Sequence, residues 1–203
     1  MKKILTIIAI ACIAFATPSQ AQVKFGLKGG LNLTSLSADG VNNSISNKSG
    51  FFIGPTVKFT LPVVGLSLDG SALYDQRNAK IKGTDETIKS QSIQIPINVR
   101  YGFGLSSVVN VFAFAGPQFG FNIGDKSNTF NAILNGVKGW SLKSSNISGN
   151  IGIGATVFSK LQITANYNFQ LSKSGEVEYK DANGTQTGKM KFNSWQLGLG
   201  YYF

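Results

Sequence analysis

From Phe25 onward the chain alternates. Phe25, Leu27, Gly29, Leu31 and Leu33 occupy every second position, with Lys24, Gly26, Lys28, Gly30 and Asn32 interleaved. A period of two marks a strand whose two faces meet different surroundings. The pattern recurs over residues 51–61, 66–74, 93–103, 111–123, 147–157, 161–171 and 195–203. In all eight segments the apolar face holds only apolar residues, Gly and Pro, with no charge and no Ser, Thr, Asn or Gln. The opposite face is rich in Gly, Asn, Gln, Ser, Thr and charge. A one-sided soluble sheet usually lets a few polar residues stray onto its buried face. Hydrocarbon is less tolerant, penalising a midplane Lys or Arg by about 2–4 kcal/mol. Each segment is close to the ~10 residues that a tilted membrane strand needs.

The pattern therefore predicts an all-β fold, an eight-stranded antiparallel up-and-down transmembrane β-barrel. The barrel must close, because a sheet edge exposed to lipid leaves its backbone groups unpaired. A soluble ligand-binding barrel also has eight strands, but there the apolar faces would point inward. The last segment closes the ring. Trp195, Leu197, Leu199, Tyr201 and Phe203 share its apolar face, and a terminal Phe after alternating hydrophobes resembles the signal read by the outer-membrane insertion machinery.

Connections alternate in length. Residues 62–65, 104–109 and 158–160 are short, whereas 34–48, 76–89, 124–146 and 172–191 are long and polar. Outer-membrane barrels have short periplasmic turns and longer external loops, which places both termini in the periplasm. A four-residue hairpin loop at 62–65 pairs Leu61 with Leu66. Phe59 then faces Leu68 outside, and Lys58 faces Asp69 inside. Arg100 and Lys28 are expected to join with Asp75 in a wider lumen charge network. An eight-stranded barrel is just wide enough for side chains to fill, so a packed polar core is expected in preference to an open pore. Three prolines, Pro55, Pro96 and Pro117, fall inside strands and are expected at bulges or near a rim.

Residues 1–21 read as a secretory signal peptide and residues 22–203 as the barrel domain. Lys2 and Lys3 precede a short apolar run, Pro18 ends it, and Ser19 and Ala21 supply the small residues a signal peptidase reads, giving cleavage between Ala21 and Gln22. The alternative is a lipoprotein acylated at Cys12, but Ala9-Ile10-Ala11 is a weak lipobox. Cys12 is the one cysteine of the chain, which also has no His. A mature chain starting at Gln22 has no disulfide, thiol chemistry or cysteine metal site. The net charge of +10 falls to +8 when Lys2 and Lys3 are removed. A basic exported protein is suited to outer-membrane lipid and lipopolysaccharide phosphates, and nucleic acid is not an expected partner.

Several stretches resemble a known family. Phe25-Gly26-Leu27-Lys28-Gly29-Gly30-Leu31-Asn32, Ile95-Pro96-Ile97 followed by Arg100-Tyr101, Ala115-Gly116-Pro117-Gln118-Phe119-Gly120, and Leu197-Gly198-Leu199-Gly200-Tyr201-Tyr202-Phe203 look like the PorT-type outer-membrane β-barrel family of Bacteroidota. The resemblance covers essentially the whole mature chain. It implies a barrel and no particular reaction, with secretion-system proteins (type IX) among the partners it suggests.

Enzymes of this architecture depend on a His as base or orienter, and this chain has none, so no catalysis and no cofactor or metal are expected. The glycines at 149–154 and 198–200 alternate within strands and lack the loop-to-helix setting of a phosphate loop. The long connections are where specific function is expected. The second has a basic bias (Arg77, Lys80, Lys82, Lys89), and the third carries Trp140 as a candidate anchor. The expected role is structural or interaction-based, with a secretion accessory or a narrow porin-like channel as alternatives.

Overall fold

The computed structural model describes residues 22–38, 45–61, 65–81, 87–104, 108–124, 127–134, 137–172, 175–181 and 184–203. The proposed signal peptide lies outside them. Twelve strands follow one another: β1 (Gln22–Ala38), β2 (Ile45–Thr60), β3 (Leu66–Ser71), β4 (Leu73–Ile81), β5 (Thr87–Gly104), β6 (Val109–Asn122), β7 (Ser127–Leu134), β8 (Val137–Leu142), β9 (Ser145–Val157), β10 (Leu161–Gln170), β11 (Gly175–Asp181) and β12 (Gly184–Tyr202). The wall runs β1, β2, β3, β5, β6, β9, β10, β12, with β4 continuing β3, and β12 returns to pair with β1. The result is a closed eight-stranded antiparallel barrel. Closure is long, from Gly26 opposite Tyr202 to Ala38 opposite Met190.

The apolar faces point outward. Phe25, Leu27, Leu31, Ile53, Ile97, Val99, Ile151, Ile153, Ile163, Leu197 and Leu199 all stand exposed on the outer wall. This orientation is the opposite of a soluble ligand-binding barrel. Aromatic side chains gather at the two ends of the band. Phe25, Tyr101, Phe103, Tyr201 and Phe203 lie toward the short turns, where Tyr101 meets Phe103 edge-on with ring centroids 4.6 Å apart. Phe51 and Tyr74 (5.8 Å) and Tyr167 and Trp195 (5.1 Å) mark the other end. Aliphatic residues between two aromatic girdles are the outer surface that a bilayer selects.

At the short-turn end Leu61 N donates to Leu66 O at 3.0 Å, Phe59 lies opposite Leu68, and Lys58 opposite Asp69. Gly65 closes this turn at φ 80°, where a side chain would be strained. The prolines sit in the walls without bulges. Pro55 is opposite Leu27 on one side and accepts from Ala72 N (3.0 Å) on the other, and the break between β3 and β4 falls at that point. Pro96 lies opposite Gln118, and the β5–β6 ladder resumes in the same register at Val99 opposite Ala115. Each proline thus leaves a gap in hydrogen bonding but no shift in pairing, because the alternation on both sides of it fixes the local register.

The long connections depart from the sequence expectation. Much of their length is strand: β1, β2, β4 and β5 run on past the apolar band, β7 pairs with β8, β8 with β11, and β11 with the upper part of β12. Beyond the bilayer the outer face of a strand meets water instead of lipid, so the ladder continues while the apolar–polar alternation that reveals it disappears.

Candidate functional site: the barrel lumen

The inward residues of an alternating strand are fixed by its outward ones. The polar face therefore enters the lumen as a block, and most of it is buried: Asn32, Thr56, Asp69, Asp75, Arg77, Gln94, Asn98, Arg100, Gln118, Asn150, Asn166, Asn168 and Gln196 are all nearly inaccessible. Buried polar groups usually find partners, and most of these do so in two clusters; Thr34 Oγ1, Asn98 Oδ1, Gln170 Nε2 and Ser194 Oγ are buried without one among the described residues.

The first is a hoop of carboxamides across the wall strands. Gln94 Nε2 donates to Ser92 Oγ (2.8 Å), Gln118 Nε2 to Gln94 Oε1 (2.9 Å), Asn150 Nδ2 to Gln118 Oε1 (2.8 Å) and Asn168 Nδ2 to Asn150 Oδ1 (2.8 Å). Arg77 Nη1 then donates to Asn168 Oδ1 (3.0 Å) and Arg77 Nε to Asp75 Oδ1 (2.9 Å). Asn32 Nδ2 donates to Asp75 Oδ2 (3.1 Å), Gln196 Nε2 to Asn32 Oδ1 (2.6 Å) and Asn166 Nδ2 to Gln196 Oε1 (2.8 Å). One chain of donors and acceptors thus ties β5, β6, β9, β10, β4, β1 and β12 together from inside.

The second cluster surrounds Arg100 near the short turns. Arg100 Nη1 lies 3.3 Å from Asp69 Oδ2 and donates to Gln162 Oε1 (3.3 Å) and Tyr202 Oη (3.5 Å). Its guanidinium carbon sits 3.7 Å from the centre of the Phe112 ring. Asn98 Nδ2 donates to Asp69 Oδ1 at 2.9 Å. Lys58 Nζ stands 4.9 Å from the centre of the Tyr202 ring and Lys28 Nζ 5.8 Å from that of Phe114. Phe112 and Phe114 fit because Gly154 and Gly152 lie opposite them, where any side chain would strike the rings.

The lumen divides the five charged residues singled out in the sequence. Lys28, Lys58, Asp69 and Arg100 share the Arg100 cluster, and the Asp69 carboxylate pairs with Arg100 although Lys58 is its neighbour in register. Asp75 does not join Arg100 and Lys28. It belongs to the hoop, paired with Arg77 and Asn32. Arg77 itself, assigned from sequence to a basic loop, is 4% exposed inside the barrel. The hoop was not anticipated, although its signal is present: Asn or Gln recurs at inward positions of β1, β5, β6, β9, β10 and β12. All five residues of the terminal apolar face point outward, and Phe203 N donates to Phe25 O at 2.9 Å. Gln22, the residue after the expected cleavage point, opens β1 opposite Thr60. Among the described residues no group of His, Cys, Asp and Glu is placed to hold a metal.

Space within the lumen is uneven. A vestibule of about 320 Å³ opens at the short-turn end, and a void of about 10 Å³ lies at the other, beside Arg77 and Phe192.

No curated protein matches this chain. Similar solved structures include Ail, the attachment invasion locus protein of Yersinia pestis (17% identity, TM-score 0.47, covering 90% of this chain and 99% of that one). Neisserial surface protein A is another (10%, 0.48, 90% and 99%), and OprG from Pseudomonas aeruginosa a third (14%, 0.46, 89% and 95%). The family model for the outer membrane protein beta-barrel domain matches residues 5–203. The chain belongs to the outer membrane protein beta-barrel domain family.

Proposed function

We infer that this outer-membrane barrel is a non-conducting anchor that acts through the strand-extended hairpins at its long end. The observation that carries this reading is the filled lumen: two charged pairs and a hoop of carboxamides occupy the space a permeant would need. The hairpins β7–β8 and β11–β12, joined by the β8–β11 ladder, offer a formed surface rather than separate loops. In this reading residues 1–21 are removed before Gln22, both termini lie in the periplasm, and the hairpins face outward. The outward row Trp195, Leu197, Leu199, Tyr201 and Phe203 serves as the insertion signal. The protein performs no chemistry of its own.

A photo-crosslinking residue at Lys143, exposed between β8 and β9, is expected to yield a defined adduct in native outer membranes. The same probe at Ser159, in the β9–β10 turn, is expected to yield none. Adducts confined to Ser159 would reverse the reading. A secretion accessory, the role suggested by the PorT resemblance, predicts instead that the adduct is a secretion component retained through detergent purification.

A further inference from the structure

The vestibule at the short-turn end has a charge imbalance that the barrel does not need for its fold. Lys24 and Lys58 lie directly opposite each other on β1 and β2, and both line the vestibule with Arg100. Like charges in directly opposed positions destabilise a sheet pair. The lining contains no carboxylate. Asp69 sits behind it, already paired with Arg100 and accepting from Asn98. Among the described residues no ion pair reaches Lys24, Lys58 or the deeper Lys28. The cations are nevertheless positioned. Lys24 Nζ donates to Ser159 O at 3.2 Å, in the β9–β10 turn, Lys58 rests over Tyr202, and Arg100 is clamped over Phe112. The hydroxyl-bearing residues Thr60, Ser67 and Thr156 complete a polar lining.

We propose that this vestibule binds a phosphate group, held between Lys24 and Lys58 above Arg100. With Arg100 neutralised by Asp69, two positive charges remain in the lining, those of Lys24 and Lys58. A phosphate monoester carries about −1.5 to −2 at neutral pH and has several strong acceptor oxygens, which matches that excess. A volume of about 320 Å³ also leaves room for an organic portion. The phosphate can come from a soluble molecule or from a lipid headgroup.

The test uses the protein purified from outer membranes in isotopically labelled form and placed in zwitterionic nanodiscs. Inorganic phosphate is titrated while amide shifts are followed. Saturable shifts at Lys24, Lys58, Ser67 and Thr156, with affinity lowered about tenfold by either Lys24→Gln or Lys58→Gln, are expected for a soluble source. The same shifts on adding phosphatidic acid to the nanodiscs, with no response to inorganic phosphate, place the source in the lipid. Lys191→Gln, at the other end of the barrel, is expected to leave both responses unchanged. Amide dispersion of each variant reports whether it has folded, and Lys58→Met provides a second neutral variant should the Gln forms fail. Absence of shifts with either phosphate source, or shifts that persist unchanged in the folded Lys24 and Lys58 variants, overturns the proposal.

Discussion

Replacing Arg100 by Gln leaves the Asp69 carboxylate buried with Asn98 as its hydrogen-bond donor. Breaking a buried pair on one side costs about 3–5 kcal/mol, mostly as the penalty of the stranded charge. Reversible denaturant unfolding in lipid vesicles is expected to show a loss of that order for Arg100→Gln. Adding Asp69→Asn should recover part of it, since the double variant strands nothing; strict additivity would mean the two groups do not interact. Lys24 and Lys58 pose the converse case. Lys24→Glu converts the Lys24–Lys58 opposition into an attractive cross-strand pair while leaving Lys58 opposite Asp69, and is expected to raise stability by about 0.2–1 kcal/mol at low salt. A loss of stability on this change would remove the like-charge conflict from the account. At this scale the sequence was partly legible. The length of the 62–65 turn was enough to bring Lys58 opposite Asp69. Alternation alone could not tell which cation the carboxylate takes, because several inward cations from different strands compete for it across the lumen. Asp75 pairs instead with Arg77, the next inward residue of its own strand.

Each strand is held in place by both of its faces. On the inner side, Gly152 and Gly154 in β9 make room for the Phe114 and Phe112 rings of β6. Gly152→Leu is expected to overpack this layer and lower stability by about 1–3 kcal/mol, read as an earlier unfolding midpoint with the slope unchanged. A neutral result would mean that the rings have somewhere else to go. On the outer side, the terminal strand presents Trp195 to Phe203 to its surroundings and ends by donating from Phe203 N to Phe25 O. Removal of Phe203 is expected to reduce the amount of assembled barrel in outer membranes more than its thermal stability once assembled. Equal effects on both would mark the residue as packing rather than signal. The wall strands were legible wherever one face meets lipid and the other the lumen, since only there does alternation carry information. β7, β8, β11 and the far ends of β2 and β4 lie past that region, and there only strand propensity and pairing remain to define them. The same blind spot hid Arg77, which is three residues beyond Tyr74, the last outward position read on its strand.

Taken whole, the molecule is a membrane wall with its polar residues turned inward and two unequal ends. Its orientation is directly testable, because the chain has no cysteine after Cys12. A cysteine at Lys143 is expected to react with a membrane-impermeant maleimide on intact cells, and one at Ser159 only after the outer membrane is breached. The reverse pattern would turn the barrel over and put the vestibule at the cell surface. The filled lumen is the property on which the functional reading depends most. It is tested most directly by single-channel recording of the purified protein in planar bilayers. No reproducible conductance steps are expected for the native protein. Regular steps whose size or selectivity changes in Asp69→Asn or Arg100→Gln would contradict it and make the barrel a channel.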